Sequence, residues 1–416
     1  PKCSTSHDDL HHMTIVVAHN FYQQTGGEDQ VFAAEVDLLR RNGHRVETFV
    51  LHNDAVDSMG KVRALAATLW NRESYRSLRD LVHRSGAGVV HFHNTFPLIS
   101  PSGYQAARDA GAAVVQTLHN FRLICPCALL YRDGHTCELC VGRNLAWPGI
   151  RHKCYRDSFA ATTAVATMVS AHRAMGTYHR LVDLYIAPSP SARAKLVEGG
   201  LPADRILVKP NFVPDPGVGS GGGGFALFAG RLSHEKGLET LLEAWEVLGD
   251  LLPLKIIGDG PLAPLVAAAT KRQANIQWLG HRPLQDVYDL LGQAAFSLLP
   301  SRCYETFGRV AVEAFAKGTP VIASRHGAMA DLVEHGRTGA LFEPGNPADL
   351  AAKVRAMLAD DGLHTTLRAQ AREEYESHYT SQQNYHQLME IYARVQHRTA
   401  SAPPSSAVPA AAVSEV

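Results

Sequence analysis

The sequence predicts an α/β protein made of two successive doubly wound parallel sheets, with the strand ends of each facing the other across a cleft. Three observations carry this. Short β-branched runs alternate with longer amphipathic stretches from end to end, the pattern of parallel strands covered by helices. The series occurs twice, on either side of the Pro-punctuated stretch Lys209–Asp215. And 416 residues are more than one hydrophobic core usually serves.

In the first series, strands are expected at Thr14–Ala18, Arg45–Val50, Val89–His93, Ala113–His119 and Leu184–Pro188. Between the first two, Asp29–Asn42 sets Val31, Phe32, Val36, Leu38 and Leu39 along one side of a helix. The second series has strands at Phe225–Ala229, Leu254–Gly258, Ile276–Leu279, Phe296–Pro300, Pro320–Ser324 and Ala340–Phe342. The glycine tract Gly217–Gly224 reads as a flexible surface loop. The expected organisation is an N-terminal extension (1–12), a first domain (13–210) with a Cys-rich insertion (121–157) and a second domain (211–374). A C-terminal helix (375–398) that packs back on the first domain and a disordered tail (399–416) complete it.

Composition narrows the function classes. Lys+Arg and Asp+Glu are both 40, so there is no basic excess of the kind a nucleic-acid binder carries. Apolar runs are broken by charges well before the about 18 residues a membrane span needs. Pro1–His12 is polar and Thr14–Ala18 is too short for the apolar core of a signal peptide, so Met13 reads as a natural start and the chain as cytoplasmic.

The segment with most chemistry runs from Pro300 to Ser324. A strand ends at Pro300, a loop carries Glu305, and a helix opens near Gly308 with Glu313 inside it. A helix N-terminus offers unpaired N–H groups and partial positive charge to a diphosphate, and Gly308 lets backbone approach a ligand closely. Two carboxylates near such a site, as Glu305 and Glu313 are, can accept hydrogen bonds from sugar and ribose hydroxyls; alone, such residues would read as solvated carboxylates at a helix start.

The segment resembles the Glu-x7-Glu motif of retaining GT-B glycosyltransferases, in particular glycosyltransferase family 4, matched by Glu305 and Glu313 with Phe307-Gly308 and Lys317–Val321. Other landmarks follow in family order: Phe228–Gly237 with Arg231 and Lys236, Ile256–Pro261, Leu279-Gly280, His326–Glu334 and Gly336–Gly339. The resemblance spans about Thr14 to Gln396 and implies the GT-B fold, two Rossmann-like domains around a cleft. It implies that Arg231 and Lys236 bind the diphosphate of a UDP- or GDP-linked sugar, countering the charge gained as the glycosidic bond breaks. Glu305, with the Phe307 and Gly308 amides, would hold the sugar and Glu313 the ribose, while Gly258 and Leu279 lie where the nucleotide is gripped. In the first domain Gly26-Gly27 resembles the family's glycine loop over the donor phosphate, and His119 its histidine beside the reacting face of the sugar. No Asp-x-Asp occurs, so no catalytic metal is expected. No carboxylate near His119 stands out as a nucleophile.

Family habit points to a saccharide or lipid-linked saccharide acceptor in cell-surface polysaccharide assembly, reached from the inner membrane face as a peripheral protein. Competing readings are an epimerase or hydrolase on the same fold, which needs an activating carboxylate in the first domain, a phosphorylase with a pyridoxal-bound lysine, and a non-catalytic sugar-nucleotide binder.

Five of the seven cysteines crowd between Cys125 and Cys154. Cys125, Cys137, Cys140 and Cys154 make the preferred set for a structural zinc, with Cys127 as substitute or bystander; disulfides or buried free thiols are the alternatives. The insertion's cations (Arg122, Arg132, Arg143, Arg151, His152, Lys153) suit either a lipid diphosphate or membrane surface, or plain solvation.

Overall fold

The computed structural model describes residues 12–23 and 26–401. Residues 1–11 of the extension, Gln24, Thr25 and residues 402–416 of the tail lie outside them.

The first domain is a six-stranded sheet of β1 (Thr14–Phe21), β2 (Arg45–His52), β3 (Val89–Asn94), β4 (Ala113–Thr117), β7 (Leu184–Ala187) and β8 (Ile206–Val208), in the order β2-β1-β3-β4-β7-β8. A separate hairpin pairs β5 (Tyr131–Arg132) with β6 (His135–Thr136) inside the Cys-rich insertion. The second domain holds β9 (Ala226–Ala229), β10 (Leu254–Ile257), β11 (Ile276–Trp278), β12 (Phe296–Leu299), β13 (Val321–Ser324) and β14 (Gly339–Phe342), ordered β11-β10-β9-β12-β13-β14. Every pairing within the two large sheets is parallel. Buried on both faces, the strands read as continuous apolar runs, as in Ile15–Ala18 and Val321–Ala323.

In each sheet the connections reverse direction beside the first strand, between β1 and β3 and between β9 and β12. The loops leaving those strands part there and open a crevice at their carboxyl ends, where doubly wound sheets bind ligands.

Three expectations need correction. β4 ends at Thr117, where Leu118 N–H turns to Ile186 O, so His119 lies two residues past the strand. The glycine tract is pinned to the second domain: the amides of Gly219, Gly221 and Gly223 donate to the carbonyls of Lys317, Gly292 and Gln293. The C-terminal stretch is two helices, Asp361–His378 and Ser381–Ser401, so the helical backbone continues past 398. Lys209, at the start of the expected boundary stretch, is buried against the first domain.

The helix Ser381–Ser401 follows the second domain but packs on the first, where Leu388, Met389, Ile391, Tyr392 and Val395 share a core with Ile15, Val17, Val36, Leu39 and Val115. Its Asn384 accepts from Lys209 Nζ at 3.1 Å, and Lys209 donates to Glu35 Oε1 at 2.7 Å.

Candidate active site

In the second domain, the segment after β9 and the segment after β12 meet at the sheet's reversal point. Lys236 Nζ donates to Glu305 Oε1 at 2.5 Å, and Ser301 Oγ donates to the same oxygen at 2.7 Å. Burial opposes the charge on both members, yet their mutual attraction wins: Lys236 is held above the ordinary lysine value and Glu305 below the ordinary carboxylate value. Arg231 is exposed and makes no hydrogen bond or ion pair with any described residue.

Glycine is required here by close packing. Gly258 has φ +133°, and a Cβ on it would lie 1.9 Å from Gly230 O, in the turn that leads into Arg231. Gly308 caps the helix Arg309–Ala316 at φ +103°, with a Cβ there 1.9 Å from Met329 Cε. Phe307 is buried edge-on to Tyr379, and Leu279 donates its amide to Ile256 O at 2.8 Å. Glu313 is buried inside the helix, where Arg309 Nε donates to it at 2.8 Å; burial raises its pKa and Arg309 only partly offsets that. The structure thus brings Lys236 and Glu305 into contact and places Gly308 and Glu313 on the same helix start.

In the first domain, Gly26 and Gly27 open the helix Gly27–Arg41. Gly26 N–H donates to Asp29 Oδ2 at 2.7 Å, while Asp29 Oδ1 takes His19 Nε2 at the same distance. A Cβ on either glycine meets no heavy atom within 4 Å, so packing inside the chain gives no reason for them.

His119 is half-buried, its Nε2 3.0 Å from His93 Nδ1 with the rings stacked. Burial, then repulsion from His93, pushes its pKa well below the ordinary value, which keeps the imidazole neutral at neutral pH. Behind it, His93 Nε2 lies 3.3 Å from Glu35 Oε2, so the row runs His119, His93, Glu35, Lys209 into the interior. Glu35, His91 and His93 bring ligating atoms within 4.8 Å of one another. Lys209 already supplies their counter-charge, which disfavours a metal cation there. His93 had drawn no assignment from the sequence. A pocket at the ends of β3 and β4 is lined by His93, His119, Asn120, Arg122, Gln116 and Met168.

The two halves touch: Thr306 Oγ1, next to Glu305, donates to His119 O at 2.8 Å. A carboxyl that the sequence had not singled out stands close by. Glu28 follows the glycine pair and accepts from Asn120 Nδ2 at 3.3 Å; burial, then Asp29, raises its pKa to about 8. Arg122 is not a solvated loop cation, because it lies over the Phe96 ring at 4.5 Å and donates to Pro126 O at 2.5 Å.

Residues 25–215 match the family model Glycosyltransferase Family 4, and residues 219–374 match Glycosyl transferases group 1. The chain belongs to glycosyltransferase family 4. Among relatives of this family 4 chain, D-inositol 3-phosphate glycosyltransferase 1 of Catenulispora acidiphila is 30% identical over 303 residues, 68% of this chain and 66% of that protein. An uncharacterized glycosyltransferase of Methanocaldococcus jannaschii is 33% identical over 151 residues, 36% of this chain and 42% of that protein. The chain thus spans less than two thirds of either relative. The fold of this family 4 chain is that of solved GT-B proteins: Anabaena HepE in complex with UDP-glucose superposes with TM-score 0.66 at 18% identity, covering 92% of this chain and 100% of that one. Sucrose-phosphate synthase of Thermosynechococcus elongatus gives 0.68 at 18%, covering 93% and 100%. Among the described residues, no helix is long and apolar enough to cross a membrane.

Proposed function

We propose that the chain is a retaining glycosyltransferase that moves a sugar from a nucleoside diphosphate to an acceptor hydroxyl, with a uridine nucleotide as donor. The observation that carries this is the Lys236–Glu305 pair at the crevice of the second sheet, joined through Thr306 to the backbone of His119. A donor exchanges that pair: its diphosphate accepts from Lys236 and Arg231, while sugar hydroxyls donate to Glu305 and the Phe307 and Gly308 amides donate to sugar oxygens. Glu313 takes the ribose, Gly258 and Leu279 border the base, and Gly26-Gly27 closes over the phosphates from the first domain. The preference for uridine rests on HepE, whose complexes hold UDP and UDP-glucose.

In the transition state, charge accumulates on the leaving diphosphate, and two fixed cations stabilise it more there than in the ground state. The acceptor hydroxyl attacks from the face the diphosphate leaves, and its proton passes to the departing phosphate. Neutral His119 accepts from a sugar hydroxyl at that face, and the cavity around it receives the acceptor. A lipid-linked saccharide in cell-surface polysaccharide assembly, met at the inner membrane face, is the acceptor class this reading favours.

A thermal-shift panel of nucleoside diphosphates and their sugars tests the reading, because a ligand at a hundredfold its Kd adds about 2.7 kcal/mol of stability. One base should stabilise selectively, and Lys236→Ala and Glu313→Ala should each abolish the shift. No shift with any nucleotide would sink the donor site. Glu28 favours a second reading, a hydrolase or epimerase, by supplying the first-domain carboxyl such an enzyme needs. Release of free sugar or an epimer without acceptor, at the rate seen with it, would select that reading.

A further inference from the structure

The insertion after β4 gathers its cysteines from three separate stretches of backbone. Ala128 N–H donates to Cys125 O in a tight turn that sets Cys125 and Cys127 side by side, their sulfurs 3.4 Å apart. The β5–β6 hairpin then returns the chain, and Cys137 N–H donates to Leu130 O. Cys137 and Cys140 flank a two-residue knuckle. The helix Trp147–Arg151 ends in a turn where Cys154 N–H donates to Gly149 O. All five sulfur-bearing residues line one cavity, shared with Arg132 and His152. None of them is in a disulfide.

Three features point to one kind of occupant. Thiolates are soft ligands and select soft or borderline cations such as zinc. In a tetrahedral zinc–thiolate site, with bonds of about 2.3 Å, neighbouring sulfurs are about 3.8 Å apart, close to the Cys125–Cys127 separation. The insertion also lacks a core of its own beyond Leu130: its buried apolar cluster there is Cys140 and Ala146 against Ala166. Elements this poor in apolar burial are commonly held by a metal or disulfides. Arg132, which lines the same cavity, offsets the negative charge four thiolates would bring.

We propose that this cavity is a structural zinc site, taking four ligands from Cys125, Cys127, Cys137, Cys140 and Cys154, and that the metal holds the insertion as a clasp on the second domain. No three of the sulfurs lie within 4.8 Å of one another, so binding draws them inward by side-chain rotation. The clasp is Glu138, inside the Cys137–Cys140 knuckle. It pairs with Lys195 Nζ at 2.7 Å, Lys195 Nζ lies over the Tyr304 ring at 5.1 Å, and Tyr304 stacks on His326 at 4.1 Å. Tyr304 directly precedes Glu305, so the metal braces the loop that carries it. The zinc site stands on the cysteine geometry alone and does not depend on the donor reading.

The test is elemental analysis of the full chain purified under reducing conditions and dialysed against a weak chelator. About one zinc per chain is expected, falling below a fifth in a Cys137→Ser/Cys140→Ser variant and unchanged in Cys303→Ser, whose thiol lies outside the cavity. Should the double variant not fold, cobalt exchanged into the parent chain gives a direct readout: thiolate-to-metal charge-transfer bands with intense tetrahedral visible bands are expected. The clasp is read by hydrogen exchange, with faster exchange at residues 301–306 once a strong chelator strips the metal. Zinc below a fifth of an equivalent in the parent chain, cobalt spectra without thiolate bands, or cysteines found as disulfides under those conditions would each overturn the site. Unchanged exchange at 301–306 on stripping would overturn the clasp.

Discussion

Substituting Lys209 by Met should cost the first domain about 3–4 kcal/mol at neutral pH, and the cost should shrink in acid. Lys209 and Glu35 are 1% and 0% exposed, and the ammonium supplies the main attraction that offsets the burial of the carboxylate. Met fills similar space without charge, leaving Glu35 with His93 at 3.3 Å and His91 at 3.8 Å. Burial holds His91 well below its ordinary pKa, so proton uptake by Glu35 itself is the way out. Protonating a carboxyl of ordinary pKa 4.5 at pH 7 costs about 3.4 kcal/mol, within the about 3–5 kcal/mol typical of a broken buried pair. The sign follows from Glu35's depressed folded pKa. Its contribution is present in full above pH 4.5 and is lost only as pH falls through the folded value, so between pH 7 and pH 5 only the cost of proton uptake in the variant changes, and the deficit should shrink by about 2.7 kcal/mol. The assay is urea unfolding by circular dichroism at both pH values, with hydrogen exchange in β1 and β3 assigning the transition to the first domain. The companion Glu35→Gln/Lys209→Met should recover most of the loss. A loss below about 1 kcal/mol at pH 7, or an equal loss at both pH values, would refute the reasoning.

Three more outcomes are expected. Glu28, raised to about 8, is a burden that grows from pH 4.5 and is complete above 8, so Glu28→Gln should stabilise increasingly across that window, by up to about 3 kcal/mol after allowing for partial exposure; melting curves at pH 5, 7 and 9 that stay parallel would contradict it. Gly258→Ala places a Cβ against Gly230 O at a disfavoured φ and should cost about 3 kcal/mol as well as the nucleotide-induced shift; a melting point within about 2 °C of the parent would count against it. Thr306→Val removes the hydrogen bond to His119 O and should lower kcat/KM about fivefold, corresponding to about 1 kcal/mol, while the donor-induced thermal shift persists. Steady-state kinetics indistinguishable from the parent would show that the bridge between the halves is idle.

What the sequence disclosed was whatever depends on neighbours along the chain. The strand runs, the helix start at Gly308 and the ordered landmarks from Arg231 to Glu313 are local patterns, and the fold places them as expected at the sheet reversal. The Lys209–Glu35 pair is separated by 174 residues, and neither residue sits in a pattern that announces burial. Glu28 looks like an ordinary acid in a helix's first turn until the fold delivers Asn120, 92 residues away, to its carboxyl. A carboxylate beside an unexplained glycine pair was the available signal. The glycine tract misled because composition suggests freedom, whereas its amides find carbonyls on a packed surface.

The last helix also sets an order of events during synthesis. Ile15, Val17 and Leu39 near the start of the chain finish their packing only against Leu388, Met389 and Tyr392 near its end. Asn384 reaches Lys209 across 175 residues of intervening sequence. At about 5–20 residues per second, a ribosome needs roughly 10–40 s to bridge that gap, during which the first sheet keeps an uncovered apolar face. The second domain is complete by then, so the first domain closes after the one that follows it, and a chain stopped short of residue 384 would leave that face bare for a chaperone to find.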